Sequence, residues 1–320
     1  MHKYIHKYFE YSKFNFKLFN FFLLFLFLIL SFIIKNAKKN NICLCTIGKN
    51  ENLYAKEYVN HYKNLGYNHI YIYDNNDNKS ENFSSILKEE IKDGFISIID
   101  YIGYRGKYNN PQKEAYYDCY DKNKRYYNWL SFFDFDEFLE IKNQTIQQYL
   151  NNKIFRNCQI IKINWLIYTS NKELLFFDKK LLKIRFNKPF FSNPANKHIK
   201  SIVRGNLKDN YWKNWMNPHS SSNNYISCSS SGKIIDSNSP FNEPPDYMYS
   251  YLKHFAKKSF EEFCYKLKRG WPDPTNNVKW INELIKNNIN NLKKKKIIKK
   301  IFNLKNFSKI QIKIKENKYK

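Results

Sequence analysis

The stretch WLSFFDFDEFL, residues 129–139, is an apolar and aromatic run that contains two acids spaced two positions apart. Such a run predicts a buried β-strand, and the two-residue period of a strand places Asp134 and Asp136 on the same face near its end. Two carboxylates this close repel each other unless a cation or a shared proton neutralises them. Oxygen ligands suit Mn²⁺ or Mg²⁺ better than zinc, so the pair predicts a metal clamp. The plainer interpretation is a solvated acidic turn at a strand end.

The segments before this run alternate between strand and helix patterns. Apolar strands are predicted at 42–47, 69–73 and 95–100, and helices at 53–65, 83–91 and 112–125. Gly66 follows the first helix, where it is a good helix-ending residue. Alternation of this kind indicates an α/β fold, with a mostly parallel sheet flanked by helices on both faces.

Polar side chains follow the predicted strands at the point where each strand ends. Asn50 and Glu51 follow the first strand, Asp74 follows the second, and Asp134 and Asp136 end the fourth. Asn and Asp are ordinary residues of loops and helix caps. Ligands of open α/β sheets, however, bind beyond the carboxyl ends of the strands. The joint placement of these residues therefore predicts a ligand site at that edge.

The net charge of +27 is concentrated at the two ends of the chain. Residues 1–40 contain seven lysines and one glutamate, and residues 281–320 contain thirteen lysines and two glutamates. Only six of the 55 basic residues are arginine, which base readout and bidentate phosphate recognition favour. We interpret the charge as a solvated surface and expect no nucleic-acid partner. The six cysteines lack zinc-site spacing; one or two disulfides are compatible with their number, and the sequence does not define the pairing.

Residues 18–34, LFNFFLLFLFLILSFII, form an uncharged apolar run bounded by Lys17 and Lys35. Its seventeen positions are at the short end for a membrane span. The sequence that follows is a poor signal-peptidase site, so we expect an uncleaved anchor. Lysines flank the run almost equally on both sides, so the positive-inside rule barely decides the orientation.

Several segments together resemble glycosyltransferase family 92, formerly DUF23, and its family-2-like relatives. They are Thr46–Glu51, Glu57–Tyr62, Tyr71–Asn76, Gln112–Cys119, Trp129–Leu139, Ile163–Trp165, Lys200–Val203, Pro218-His219, His254–Phe263 and Lys268–Gly270. Their order and spacing cover residues 42 to about 272. Two positions depart from the family pattern, with Lys49 in place of an arginine and Phe255 in place of a tyrosine.

The resemblance implies a GT-A fold enzyme that transfers a sugar from a nucleotide-diphosphate donor to a glycan acceptor with inversion. In that scheme Asp134 and Asp136 hold Mn²⁺ (or Mg²⁺) against the donor diphosphate. His254 completes the metal site, with His219 as its competitor, and Lys258 meets a phosphate. UDP-hexose is the expected donor, and galactose is the sugar that the resemblance favours.

The remaining donor contacts are assigned to Asn50, Glu51 and Asp74, in addition to Asp134 and Lys258. Inversion also needs a general base that deprotonates the acceptor hydroxyl. Its identity is unknown from the sequence, and the candidates in the acceptor half of the chain are Asp246, Asp236 and Glu173. Glu137 is expected to support the acidic pair or the core rather than to catalyse.

The predicted organisation has five parts. They are a tail at 1–17, a transmembrane anchor at 18–34, a stem at 35–41, a GT-A catalytic domain at 42–280 and a basic C-terminal tail at 281–320. The expected product is a single-pass type II membrane protein, facing the Golgi or ER lumen in a eukaryotic cell. Two alternatives compete: a catalytically silent glycan- or membrane-binding protein on the same fold, and a sugar nucleotidyltransferase. The second normally has a Gly-rich loop, which eight scattered glycines do not supply.

We predict that residues 18–34 stay in the mature protein and hold it in the membrane. An apolar run of this length with no good cleavage site is retained and resists extraction from the bilayer. The test is alkaline carbonate extraction of membranes, combined with N-terminal sequencing. Release of the protein by salt alone, or a mature N-terminus near Lys38, would contradict the prediction.

Overall fold

The first half of the structure follows the predicted alternation of strands and helices. The computed structural model describes residues 41–77, 82–101, 110–170, 173–207, 218–219, 225–270, 274–288 and 290–303, with the backbone alone at 274–278. In these residues the strands are β1 (Ile42–Gly48), β2 (His69–Asp74), β3 (Ile96–Asp100), β4 (Trp129–Phe132), β5 (Glu137–Ile141), β6 (Ile160–Thr169), β7 (Lys188–Pro189), β8 (Ile199–Arg204), β9 (Ser227–Cys228), β10 (Ile234–Ile235) and β11 (Ser250–His254). The α-helices are α1 (Ala55–Leu65), α2 (Phe83–Ile86), α3 (Lys88–Lys92), α4 (Pro111–Asn123), α5 (Ile146–Leu150), α6 (Leu182–Arg185), α7 (Phe260–Arg269), α8 (Pro274–Asn288) and α9 (Leu292–Phe302).

The main path of the sheet runs in the order β10-β9-β6-β8-β4-β1-β2-β3. Neighbouring strands from β4 to β3 are all parallel, so their carboxyl ends meet at one edge. The prediction of a parallel sheet is confirmed for this half. Beyond β4 the pairing is mixed, since β8 is antiparallel to both β4 and β6. A branch then brings β11 beside β6 and β5, which places its last residue, His254, opposite Glu137.

Both faces of the parallel half are buried, as predicted. Ile42 and Leu44 of β1 pack in one hydrophobic cluster with aromatic residues of α1, whereas Cys43 and Cys45 pack in a second cluster with aromatic residues of α4. Because successive side chains of a strand point to opposite faces, a strand covered on both sides reads as a continuous apolar run. This explains why β1 carries no polar residue before Thr46.

The helix boundaries are set by local capping. Helix α1 ends at Gly66, whose φ of 95° lies in the left-handed region that glycine adopts without strain, and its N–H bonds to the Lys63 carbonyl. Helix α4 begins after Asn110, whose side chain accepts a hydrogen bond from the Lys113 N–H, and it has a proline in its first turn. These ends agree with the sequence prediction within two residues.

The acidic pair does not lie on a strand, contrary to the prediction. Strand β4 ends at Phe132, and the chain turns before β5 begins at Glu137. The Glu137 N–H bonds to the Asp134 carbonyl, and the Glu137 carboxylate accepts from the Asp134 N–H. This reciprocal pair of bonds closes the turn, so the two aspartates leave the alternation of the strand and face different neighbours.

The predicted boundary at residue 280 falls inside α8. Helices α7, α8 and α9 share a hydrophobic cluster of Phe260, Cys264, Leu267, Leu284, Ile285, Ile297, Ile298 and Ile301. The apolar side of α9 therefore packs against the protein, while Lys293, Lys296, Lys299 and Lys300 remain exposed. The described part of the predicted tail, residues 281–288 and 290–303, thus packs against α7.

No helix in the described residues is long and apolar enough to cross a membrane. The predicted tail, anchor and most of the stem, at 1–40, lie outside the described residues.

Two disulfides connect segments that are far apart in the chain. Cys45 of β1 is bonded to Cys119 of α4, and Cys158 is bonded to Cys228 of β9. Cys43 and Cys264 are buried free thiols. The sequence separations of 74 and 70 residues mean that each crosslink closes a long loop, which stabilises a fold by about 4 kcal/mol in the chain-entropy description.

We predict that the denatured but unreduced protein exposes two reactive thiols, because four of the six cysteines are paired. Thiol titration in guanidinium, with and without prior reduction, measures this. Joint replacement of Cys158 and Cys228 by alanine should leave the unreduced count at two and lower the free energy of unfolding by about 4 kcal/mol. Six reactive thiols in the unreduced wild-type protein would contradict both bonds.

Candidate functional site

A cavity of about 860 Å³ opens at the carboxyl ends of the parallel strands. Its lining comes from the ends of β1 and β11, the turn after β4, the middle of β6 and one side of α7. The lining side chains include Ile47, Lys49, Glu51, Gln112, Asp134, Phe135, Asp136, Trp165, His198, His219, His254, Lys257, Phe263, Lys266, Arg269 and Trp280. Both aspartates of the predicted clamp thus border one cavity at the edge where the sequence placed a ligand site.

Asp134 is held by three side chains from two elements. Its Oδ1 accepts hydrogen bonds from Gln112 at 2.6 Å and from the Tyr116 hydroxyl at 2.9 Å, both on α4, and its Oδ2 lies 2.7 Å from the Lys200 Nζ on β8. Burial alone would raise the pKa of Asp134, but the Lys200 ammonium outweighs it and keeps that pKa below its usual value. The carboxylate is therefore ionised and its orientation is fixed.

Lys200 and Glu137 lie behind Asp134 and are fully buried. The Lys200 Nζ is 3.5 Å from the Glu137 Oε2, which also accepts the Asp134 N–H at 2.9 Å. Burial opposes the charge on Lys200, but Asp134 and Glu137 outweigh it and raise its pKa. Burial also raises the pKa of Glu137 well above its usual value. Glu137 supports the acidic turn from behind, which agrees with the supporting role expected from its position.

Asp136 faces a different set of partners. Its Oδ2 lies 2.7 Å from the Lys266 Nζ, and its Oδ1 lies 3.7 Å from the His254 Nε2. Burial would raise the pKa of Asp136, but Lys266, then His254 and Lys258, lower it strongly. Asp136 is the more buried of the two aspartates, with 7% of its side chain exposed against 30% for Asp134.

His254 is a neutral imidazole at the end of β11. Burial lowers its pKa to about 4, although nearby Asp136 acts in the opposite direction. Its ring lies 4.2 Å from the Trp165 ring, between centroids, and its buried Nδ1 has no hydrogen-bond partner in the described residues. A neutral ring keeps a lone pair that can bind a metal ion.

These residues fit a hard divalent cation in part. Two atoms that are each about 2.1 Å from one ion are at most about 4.2 Å apart, so the 3.7 Å between Asp136 and His254 is compatible with a shared ion. Asp134 points instead to Lys200, and the described residues contain no group of three or more His, Cys, Asp or Glu side chains that could hold an ion. Such cations need only one or two protein ligands when a phosphate and waters complete the shell. The three-residue ligand set remains a prediction, of which the structure brings two members together.

Glu51 anchors a second ion-pair cluster beside the first. Its carboxylate lies 2.6 Å from the Lys258 Nζ and 2.9 Å from an Arg269 nitrogen, and Arg269 also donates to the Lys49 carbonyl. Burial would raise the pKa of Glu51, but Lys258 and Arg269 lower it. Lys258 is buried behind Glu51 with its Nζ 4.0 Å from the centre of the Tyr54 ring. Its contacts make it a partner of Glu51, and it is not in the cavity lining.

Asn50 and Asp74 lie outside the cavity lining in the described residues. Asp74 accepts hydrogen bonds from the Phe83 N–H at 2.8 Å and from the Asn76 side chain at 2.7 Å. The Asn50 N–H donates to Asn76, and Asn50 itself adopts a left-handed φ of 55°. The contacts of these residues shape the loops after β1 and β2, and their role in donor binding stays a prediction.

Three histidines surround Trp165 on one wall of the cavity. Besides His254, the His198 ring stacks on Trp165 at 4.8 Å and the His219 ring meets it edge-on at 5.4 Å. The His219 Nδ1 lies 2.5 Å from the Ile199 carbonyl, and burial lowers the His219 pKa to about 3. His219 is therefore neutral, and its Nδ1 contacts a backbone carbonyl.

None of the three candidate bases lines the cavity. Asp246 accepts hydrogen bonds from the Ser229 hydroxyl at 2.6 Å and the Ser231 hydroxyl at 2.5 Å. Asp236 is exposed near β10, and Glu173 pairs with Lys294 at 2.8 Å on the surface. The structure therefore singles out none of the three candidates, and the identity of the base stays open.

The sequence reasoning missed Lys200 and Lys266 as site residues. The signal for Lys200 was a charged residue inside the apolar run IKSIV, which must find a counter-ion if the strand is buried. The signal on α7 was the three-residue spacing of Phe263, Lys266 and Arg269, which share one face of a helix. Neither signal names the partner, because both partners are distant in the chain.

Comparison with known proteins defines the family. Residues 38–230, more than half of the chain, match the family described as Glycosyltransferase family 92. The chain belongs to glycosyltransferase family 92.

Two plant members of the family are detectably similar. A family 92 protein of rice, Oryza sativa subsp. japonica, is 26% identical over 116 residues, which are 36% of this chain and 19% of that protein. A family 92 protein of Ricinus communis is 24% identical over 108 residues, which are 34% of this chain and 18% of that protein. The chain thus matches about a fifth of the length of these relatives.

Among solved structures, S. aureus TarS residues 1–349 in complex with UDP overlaps with this chain at a TM-score of 0.38 and 13% identity. The overlap covers 82% of this chain and 71% of the TarS chain. A TM-score of this size reflects a partial overlap of two structures.

We predict that Lys200→Met lowers the free energy of unfolding by about 3–5 kcal/mol, because it leaves buried Asp134 and Glu137 without their cation. Chemical denaturation measures the change. The matched control is Lys253→Met, which breaks the more exposed pair with Glu140 and should cost less than about 1 kcal/mol.

Adding Asp134→Asn to Lys200→Met should recover part of the lost stability, since it removes the ionised carboxylate that has lost its cation. Equal effects of the Lys200 and Lys253 replacements would show that the buried network does not stabilise the fold.

Proposed function

We propose that this protein is a membrane-anchored, metal-dependent glycosyltransferase of the GT-A fold. It transfers a hexose, with galactose favoured, from a UDP-sugar to a glycan acceptor with inversion. The observation that carries the proposal is the convergence of Asp136 and His254 in a cavity at the carboxyl ends of parallel strands. Membership of family 92 supports the reaction class.

The residues of the cavity have distinct roles in this proposal. Asp136 and His254 would hold Mn²⁺ or Mg²⁺, which neutralises the departing diphosphate and makes it a better leaving group. Asp134 is kept ionised by Lys200 and oriented by α4, so it presents a fixed carboxylate to the donor. Glu51 borders the same cavity, and Lys258 acts on the donor site through Glu51.

The aromatic wall around Trp165 is the proposed acceptor side. Trp165, His198 and the half-exposed Trp280 border the cavity, and flat apolar rings of this kind pack against the faces of sugars. No base is assigned to the acceptor hydroxyl, because Asp246, Asp236 and Glu173 all lie outside the cavity lining.

The proposed location is the membrane of the secretory pathway, with residues 36–320 on the lumenal side. Two disulfides support an oxidising compartment, since cytosolic thiols are kept reduced. A type II arrangement with the anchor at 18–34 would place the cavity there.

A catalytically silent binding protein on this fold is the alternative. The exposed lysines of α9 are compatible with an anionic surface, although the apolar side of that helix is already packed inside the protein. A turnover assay distinguishes the two functions, because a binding protein would bind the UDP-sugar without transferring or hydrolysing the sugar.

We predict that Asp136→Asn abolishes Mn²⁺-dependent transfer or hydrolysis of UDP-sugars, and that Asp134→Asn has a weaker effect. Asparagine keeps the shape of the side chain but removes the charge that holds the cation. His254→Ala should raise the Mn²⁺ concentration for half-maximal activity by more than about tenfold, and His219→Ala should change acceptor or donor binding instead. Activity against Mn²⁺ concentration for each variant is the measurement.

The matched control is Asp121→Asn on the exposed side of α4, where the carboxylate pairs with Lys124. It should have wild-type activity. Near wild-type activity of Asp136→Asn with a normal melting temperature would refute the site. A larger Mn²⁺ shift for His219→Ala than for His254→Ala would reverse the assignment of the two histidines.

A further inference from the structure

One face of α7 lines the cavity with two basic side chains. Lys266 and Arg269 follow Phe263 at intervals of three residues, and all three border the cavity. Arg269 is held between the Glu51 carboxylate and the Lys49 carbonyl. Lys266 is held by Asp136, with an additional bond of 3.2 Å to the Ala256 carbonyl. The two cations are therefore tied to different carboxylates of the same site.

The pairing of Lys266 conflicts with cation binding at Asp136. The Lys266 ammonium lies 2.7 Å from the Asp136 carboxylate. A divalent ion bound to the same carboxylate would be close to this ammonium, and two positive charges that close in a partly buried site repel strongly. The other carboxylates have no such conflict. Lys200 holds Asp134 from the side of the core, and Lys258 holds Glu51 from behind the cavity wall. Of these three lysines, only Lys266 has to move away from its carboxylate when a cation binds.

We propose that Lys266 is a diphosphate-binding residue that competes with the divalent cation for Asp136. The cation displaces the ammonium from Asp136, and the ammonium then binds the diphosphate of the nucleotide sugar. This inference rests on the proposed metal-dependent function and goes beyond it, because it assigns a residue of α7 to the donor.

The side chain of Lys266 suits this exchange. Its ammonium is carried on a flexible four-carbon stem and has three donors that bind phosphate as a point charge. It is 16% exposed at the cavity surface, whereas Lys200 is fully buried and cannot turn toward a ligand without leaving the core. After the exchange each anion has a cation: the ion on Asp136 and Lys266 on the diphosphate.

The test compares Lys266→Met with Lys268→Met in the full-length protein. Both variants remove one positive charge from α7, but Lys268 is exposed and does not line the cavity. Free Mn²⁺ is measured by electron paramagnetic resonance without nucleotide, and UDP binding is measured by calorimetry with saturating Mn²⁺ and again in chelator. Uridine, which lacks phosphates, is the control ligand.

Lys266→Met should bind Mn²⁺ about tenfold more tightly than the wild type, because Asp136 loses its competing ammonium. The same variant should bind UDP about tenfold more weakly, because a charge-assisted contact with phosphate is lost. Uridine binding should not change, and Lys266→Arg should keep most of the UDP affinity. Opposite shifts for Mn²⁺ and UDP identify the exchange, since damage to the fold would weaken both.

Weaker Mn²⁺ binding by Lys266→Met, or equal changes in Lys268→Met, would overturn the proposal. Unchanged UDP affinity in Lys266→Met would overturn the assignment of Lys266 and leave the proposed function standing. Failure of the wild-type protein to bind Mn²⁺, with or without UDP, would overturn both the metal dependence and the competition.

Discussion

Charge neutralisation of buried carboxylates is the constraint on which the site depends. Asp134 and Asp136 lie in the turn between β4 and β5, and Glu137 follows it directly. A buried carboxylate without a cation would lose its charge or unfold the turn. Lys200 supplies the cation for Asp134 and Glu137, and Lys266 supplies it for Asp136. The sheet can therefore end in an acidic edge only because β8 and α7 bring lysines to it.

This requirement ties the C-terminal helices to the parallel half of the sheet. Lys258 and Arg269 reach Glu51 across more than 200 residues of sequence, and Lys266 reaches Asp136 across 130. Helix α7 is in turn held by the apolar side chains of α8 and α9. Helices α8 and α9 consequently support the wall of the cavity that Lys266 and Arg269 line. A domain boundary at residue 280 would divide α8 and separate α7 from α9.

These contacts give the two aspartates, Asp134 and Asp136, different environments. Asp134 is oriented by α4 and β8 and is partly exposed, whereas Asp136 is more buried and has the imidazole of His254 beside it. Two identical side chains two residues apart thus have separate environments, which is how one short motif provides both a fixed carboxylate and a candidate cation ligand.

The sequence alone determined the α/β class, the helix end at Gly66, the buried strands of the parallel half and the acidic edge, because these depend on local periodicity and capping. It also indicated the family, through short motifs in a fixed order. It misplaced the acids on a strand and left the catalytic base unidentified, with three candidates that do not line the cavity. Only the tertiary structure decided the lysine partners, the disulfide pairing and the place of the last helices. The lysine partners and the disulfides depend on contacts between residues 66 to 207 positions apart, and a periodic pattern within one segment carries no information about which other segment will pack against it.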